Sequence, residues 1–174
     1  MALSKIDAAN FLTGTIPQGN VANASLGAVT ALPAAIPTGK VLQVVQGTTN
    51  TQVSHTTSYA DTTLTASITP SSTSNKIFVS VNQHCYNQGN QGMSIKLLRG
   101  STAVYTPSQS YMFYTEIQDS HIRSYQSFDY LDTPSSTSAL TYKTQAIAYN
   151  SSYTIKTQSS GRWTSFITLM EVAG

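Results

Sequence analysis

Three histidines, one cysteine and seven carboxylates are the groups in this 174-residue chain that could hold a metal or move a proton. His84 and Cys85 are adjacent, which would suit two metal ligands only if both pointed the same way. Successive side chains of a strand point to opposite faces, and no second cysteine or paired histidine supplies the spacing of a zinc site. The pattern predicts a small buried thiol beside a partly exposed imidazole, with no metal. His55, His84 or His121 could alternatively meet its own copies on the axis of a symmetric oligomer. Glu116 and Asp119 lie three residues apart, as do Asp129 and Asp132. Carboxylate pairs can act as acid and base, but these fall at strand ends beside turns, where solvation is the plainer role. Asp132, before Thr133-Pro134, suits turn initiation. The chain has no G-x-S-x-G elbow, no Gly-rich phosphate loop and no H-E-x-x-H helix. The expectation is a protein that is not an enzyme and takes no cofactor.

One stretch is richer than its surroundings. Ser108–Tyr125 reads SQSYMFYTEIQDSHIRSY and gathers Tyr111, Phe113, Tyr114, His121 and Tyr125. Aromatic rings stack on the apolar faces of sugars while neighbouring amides bond the hydroxyls, so this composition suits a glycan surface. Rings are equally favoured in protein interfaces. The plainer reading, which the sequence favours, is two edge strands whose rings fill the core or a subunit contact.

The elements that must carry these residues follow from composition and period. Charged residues make up only 9% of the chain, against about 25% in a typical soluble protein. Polarity comes instead from 24 serines and 25 threonines. Disorder needs high charge and few apolar residues, whereas net charge here is +2 and 40% of residues are hydrophobic. A nucleic-acid binder needs clustered cations, and the nine here are scattered from Lys5 to Arg162. The single Cys85 excludes an internal disulfide. No apolar run approaches the ~18 residues of a membrane span, and MALSKIDAANFL lacks the apolar run of a signal peptide, so synthesis in a cytosol is expected. Asn23-Ala-Ser25 and Asn150-Ser-Ser152 are then chance matches to glycosylation acceptors.

The chain changes character near Lys40. Residues 1–39 carry only Lys5 and Asp7 as charges and are dense in Ala, Gly, Pro, Thr and Asn. Ser4 and Asp7 suggest a short helix over about 5–11, and Pro17, Pro33 and Pro37 forbid a long one. Leu12, Ile16, Val21, Leu26, Val29, Leu32 and Ile36 are spaced too irregularly for a heptad seam. Such a segment cannot offset the entropy of its own ordering. It reads as an extended anchoring and oligomerisation arm that packs on sister arms or on a larger assembly. From residue 40 to 174 the period is two. In KIFVSVNQH, Ile77, Val79 and Val81 alternate with Phe78, Ser80 and Asn82, and similar runs cover 41–48, 59–69, 93–99, 121–130, 140–149, 153–157 and 163–172. Turn signals separate them at 69–75, 86–92, 99–102, 132–138, 150–152 and 159–162. Eight to ten short strands predict an all-β, antiparallel, jelly-roll-like β-sandwich behind the arm.

The phrases GKVLQVVQGTT (39–49), ITPSSTSNKIFVSV (68–81), LLRGSTAVY (97–105), LDTPSSTSALTYKTQ (131–145) and TSFITLMEV (164–172) resemble a family of small virion structural proteins of tailed phages, of the tail-fibre or head-fibre kind. The arm is similar, more loosely, to N-terminal segments of such fibres. SIKLLRGSTAVYTPSQSY, entered from KIFVSV and closed by TSFITLMEV, is also similar in layout to the trimeric jelly rolls of the complement-C1q and tumour-necrosis-factor type, although no calcium-ligand or receptor motif of that group is matched.

These resemblances imply a homotrimeric knob on the virion surface, held to other virion proteins of capsid or tail by residues 1–39. Its expected partner is a host-surface glycan, with neither nucleic acid nor membrane insertion involved. Three-fold repetition would turn a weak single-site affinity into avidity. The alternative is a capsid decoration protein that clamps and stabilises the phage head.

Overall fold

Alternation in Lys76–Gln88 sets the architecture. Ile77, Val79 and Val81 are fully buried in the interior, while Phe78, Ser80 and Asn82 face outward. The computed structural model describes residues 40–108, 111–118 and 121–174. The arm, its seven apolar positions and the helix expected over 5–11 lie outside the described residues. The strands are β1 (Val41–Thr49), β2 (Val53–His55), β3 (Ala60–Ile68), β4 (Lys76–Gln88), β5 (Gln91–Arg99), β6 (Thr102–Tyr105), β7 (Phe113–Thr115), β8 (His121–Asp132), β9 (Leu140–Ala148), β10 (Ile155–Thr157) and β11 (Ser165–Val172).

The strands form two antiparallel sheets. In the first, β1 pairs with β11, β11 with the first half of β4, and β8 with the whole opposite edge of β4. Along its second half β4 exchanges β11 for β10, and β2 completes that side. In the second sheet β3, β9 and β5 run side by side, and the free edge of β5 takes β6 at one end and β7 at the other. The long strands β1, β3, β4, β5, β8, β9 and β11 alternate between the two sheets along the chain. That path is the jelly-roll one, and the body is a β-sandwich as the period-two pattern predicts.

Three short strands exceed the sequence expectation. β2, β6 and β7 have too few residues to show a period. The turn expected over 86–92 shrinks to Gly89-Asn90, because β4 continues to Gln88 and β5 starts at Gln91. Gly89 has φ +75° and lies directly beneath the Tyr153 ring, so both its backbone freedom and its missing Cβ are used.

The interior holds two apolar clusters. One is built on Leu64, Ile77, Val79, Leu97, Tyr142, Ile167 and Leu169, the other on Cys85, Met93, Ile95, Ala146 and Ile155, and Phe128 packs against both. Between them along β3, β4 and β9 lie Thr62, Gln83 and Thr144, all fully buried. Gln83 Oε1 accepts from Thr144 Oγ1 at 2.9 Å and from Thr62 Oγ1 at 3.2 Å, and Gln83 Nε2 donates to Ser165 Oγ at 3.0 Å. The layer ties both sheets together across the core.

Two sequence expectations change here. Cys85 is a buried thiol, as predicted, and its ionisation is pushed up by burial, but His84 is buried as well, at 1% exposure. Asp132 is not a solvated turn residue. It is buried, accepts from Tyr142 OH at 2.6 Å and pairs with Arg99 Nη1 at 2.6 Å, which closes the sandwich where β8 ends.

Candidate functional site

The five aromatic residues predicted as one surface fall into three places. β7 pairs with the start of β5 so that Met93 faces Phe113 and Gly92 faces Tyr114. Directly opposed residues share a sheet face. Phe113 therefore turns inward with Met93 and packs on the second apolar cluster. Tyr114 turns outward over Gly92, and Tyr111 joins it there. A Cβ at residue 92 would stand 2.7 Å from Tyr111 Cβ and 2.8 Å from Tyr114 Cδ2, so only glycine allows both rings to lie on the strand.

Tyr149, just past the end of β9, completes a three-ring group that the sequence reading missed. Its N–H donates to Gly92 O at 2.9 Å. Its ring stands edge-on to Tyr111 and Tyr114, with centroids 5.3 and 5.6 Å away, and Tyr111 and Tyr114 are 5.0 Å apart. Tyr111 is 38% and Tyr149 48% exposed. The platform stands on a hydrogen-bonded base. Buried Gln91 donates through Nε2 to Asn150 O at 2.6 Å, and accepts from the N–H of Gly92 at 2.9 Å and of Asn150 at 3.0 Å. Tyr114 OH donates to Asn90 Oδ1. Burial and the adjacent Tyr149 and Glu116 push the Tyr114 phenol above its usual range. A cleft of about 330 Å³ continues from Tyr149 past Pro107 and Ser108 to Tyr59, whose ring lies 4.1 Å from Lys96 Nζ. The group thus offers rings and polar groups of an amide-rich rim.

Tyr125 and His121 lie instead on the outer face of the first sheet. The register sets His84 opposite Tyr125, Tyr86 opposite Arg123 and Gln88 opposite His121. Tyr86 also faces Lys156 across β10. The Tyr86 hydroxyl is 2.5 Å from His121 Nδ1, and the Tyr86 ring carries Arg123 at 5.0 Å and Lys156 at 5.9 Å. His84 stacks on Trp163 at 4.8 Å with the planes 8° apart, and meets the Tyr125 edge at 5.4 Å. Tyr125 OH donates to Thr164 O at 3.1 Å. Neither ring nitrogen of His84 has a hydrogen-bond partner among the described residues, and burial, with Arg123 nearby, lowers its pKa to about 4. The imidazole therefore stays neutral near pH 7 and acts as a flat support.

Sequence reasoning missed Tyr59, Tyr149, Tyr86 and Trp163. Trp163 carried a signal, since it is the chain's one tryptophan and follows the turn phrase SSGR. The others are single rings, Tyr86 on β4, Tyr59 just before β3 and Tyr149 just after β9. Asp61, Asp132 and Glu171 are each held by a different set of partners, while Glu116 and Asp129 are exposed, on β7's flank and on β8.

No protein-family model matches the chain, and no curated protein matches it. Among solved structures, one titled "Structure of infectious bursal disease virus Gt strain" is similar over 76% of this chain, with 12% identity and a TM-score of 0.36. The matched region spans 38% of that chain.

Proposed function

We propose that the chain is a non-enzymatic structural protein of a tailed-phage virion, a trimeric knob on the particle surface that is anchored through residues 1–39 and contributes to attachment to a host-surface glycan. The observation that carries the attachment role is the platform of Tyr111, Tyr114 and Tyr149. Two exposed rings, Tyr111 and Tyr149, and the partly buried Tyr114 stand over a hydrogen-bonded turn and a buried glutamine, an arrangement that limits the conformational entropy lost when a sugar stacks on them. The phrase resemblance to phage virion proteins supports the setting.

Assembly has support from the first sheet. The register aligns Val44, Met170, Phe78 and Leu131 in one row across four strands on the outer face. Val44 and Leu131 are 57% and 50% exposed. A row of this kind suits the face that a sister chain covers.

The test is adsorption of the full-length protein to cells of the phage's host. Tyr111→Ala and Tyr114→Ala together should abolish adsorption while leaving the melting temperature in place, because both rings lie outside the apolar clusters. Unchanged adsorption would retire the platform as the attachment site. The apolar row equally suits contact with a capsid shell, which is the decoration role. Copy number in purified particles separates the two, with hundreds per virion marking decoration and a few dozen or fewer marking a fibre.

A further inference from the structure

The other end of the first sheet's outer face holds a second cleft. It is an open cleft of about 350 Å³, lined by Arg123, Ser160, Arg162 and Trp163. That volume is in the range of small-ligand sites. One face of the Trp163 indole is occupied by the stacked His84, yet the residue is 39% exposed and borders the cleft. Arg123 and Arg162 are both exposed, and neither has a carboxylate partner among the described residues. In a chain with so few charges, two guanidiniums and an indole around one cleft are a concentration of binding chemistry.

We propose that this cleft binds a carboxylate-bearing sugar residue of an acidic polysaccharide, with Trp163 as the stacking surface and Arg123 and Arg162 as the partners of the carboxylate. A guanidinium matches a carboxylate with two parallel N–H bonds. Arg123 is preplaced by its contact with the Tyr86 ring, which is itself fixed by His121. Lys156 shares that ring and adds positive potential behind it. The Ser160 hydroxyl lies on the same cleft and can bond a ring hydroxyl.

A single-stranded nucleic acid would also use rings and cations, but it needs a charged track along several nucleotides. Here Arg99 is committed to Asp132, Lys143 to Asp61, and Lys96 to the Tyr59 ring. One compact cationic cleft suits one acidic group. The choice of a sugar rests on the glycan-attachment reading, while the cleft is distinct from the tyrosine platform.

Trp163 is the only tryptophan, so intrinsic fluorescence reports this cleft directly. The full-length chain is titrated with trigalacturonic acid and with sialyllactose, and with maltotriose and lactose as neutral counterparts. A saturable change is expected with at least one acidic probe and none with the neutral ones. Arg123→Gln and Arg162→Gln, both at exposed positions, should each weaken that midpoint about tenfold or more. No saturable change with either acidic probe, equal response to the neutral sugars, insensitivity to both substitutions, or tighter binding of oligothymidylate would each overturn the proposal. Loss of adsorption on removing Tyr111 and Tyr114 alongside a silent Trp163 would sink this cleft alone. Saturable binding here with unchanged adsorption of that variant would sink the platform alone.

Discussion

Glu171 shows how a single residue in this low-charge chain is made to hold a whole corner. It is 1% exposed on β11, yet its carboxylate accepts from Gln43 Nε2 at 2.6 Å, Asn75 Nδ2 at 2.5 Å, and the N–H and hydroxyl of Ser71, each at 2.7 Å. Burial opposes ionisation, but these donors outweigh it and bring the pKa down from 4.5 to about 2. A carboxylate depressed in the folded state contributes stability that is complete above the unfolded pKa and is lost as pH falls towards the folded one. The melting temperature should therefore fall progressively as pH is lowered from about 4.5 to about 2. Glu171→Gln should start lower and lose much of that slope. Equal slopes for the two proteins in thermal melts across this range would remove Glu171 from the account. Nothing local marked this residue, because its donors lie about 100 and 128 positions away in the chain.

At the scale of elements, period two did most of the work and also set the limit of what could be read. The long strands were legible because Ile77, Val79 and Val81, or Met93, Ile95 and Leu97, repeat long enough to separate an inner from an outer face. β2, β6 and β7 were not, since three or four residues fit any pattern. The candidate site fared worse for the same reason. Phe113 and Tyr114 are neighbours of one chemical type, and only the pairing of β7 with Gly92 and Met93 sends one inward and the other out. Gln83 continues the inward period of Ile77, Val79 and Val81, but its polarity gives no sign that Thr62 and Thr144 on other strands complete a buried layer with it. Thr144→Val keeps the shape and deprives Gln83 Oε1 of one of its two donors. It should cost about 0.5–1.5 kcal/mol, the net worth of one hydrogen bond, because Thr62 still donates to Gln83 Oε1. Urea unfolding reads this as a lower midpoint with an unchanged slope; an unchanged midpoint would show that the layer fills space only.

For the whole molecule, the two faces of the first sheet differ in kind. The inner face is packed against the second sheet. The outer face carries the apolar row at one end and the indole–guanidinium cleft at the other. In the proposed trimer, sister chains cover the row. Leu131→Lys places a charge at a 50% exposed position, so the fold has room for it. Mass photometry should show the three-chain species giving way to single chains, and an undisturbed trimer would move the contact elsewhere. The low charge by itself argued only against disorder and nucleic-acid binding; period-two alternation and turn chemistry, which are local, determined that this body is a β structure with hydroxyl-covered surfaces. Which rings meet was decided only by tertiary structure. Tyr111 reaches Tyr149, and His84 reaches Trp163, across dozens of residues, through strand register and a glycine without a side chain. Register is a property of paired strands, and no stretch of sequence contains it alone.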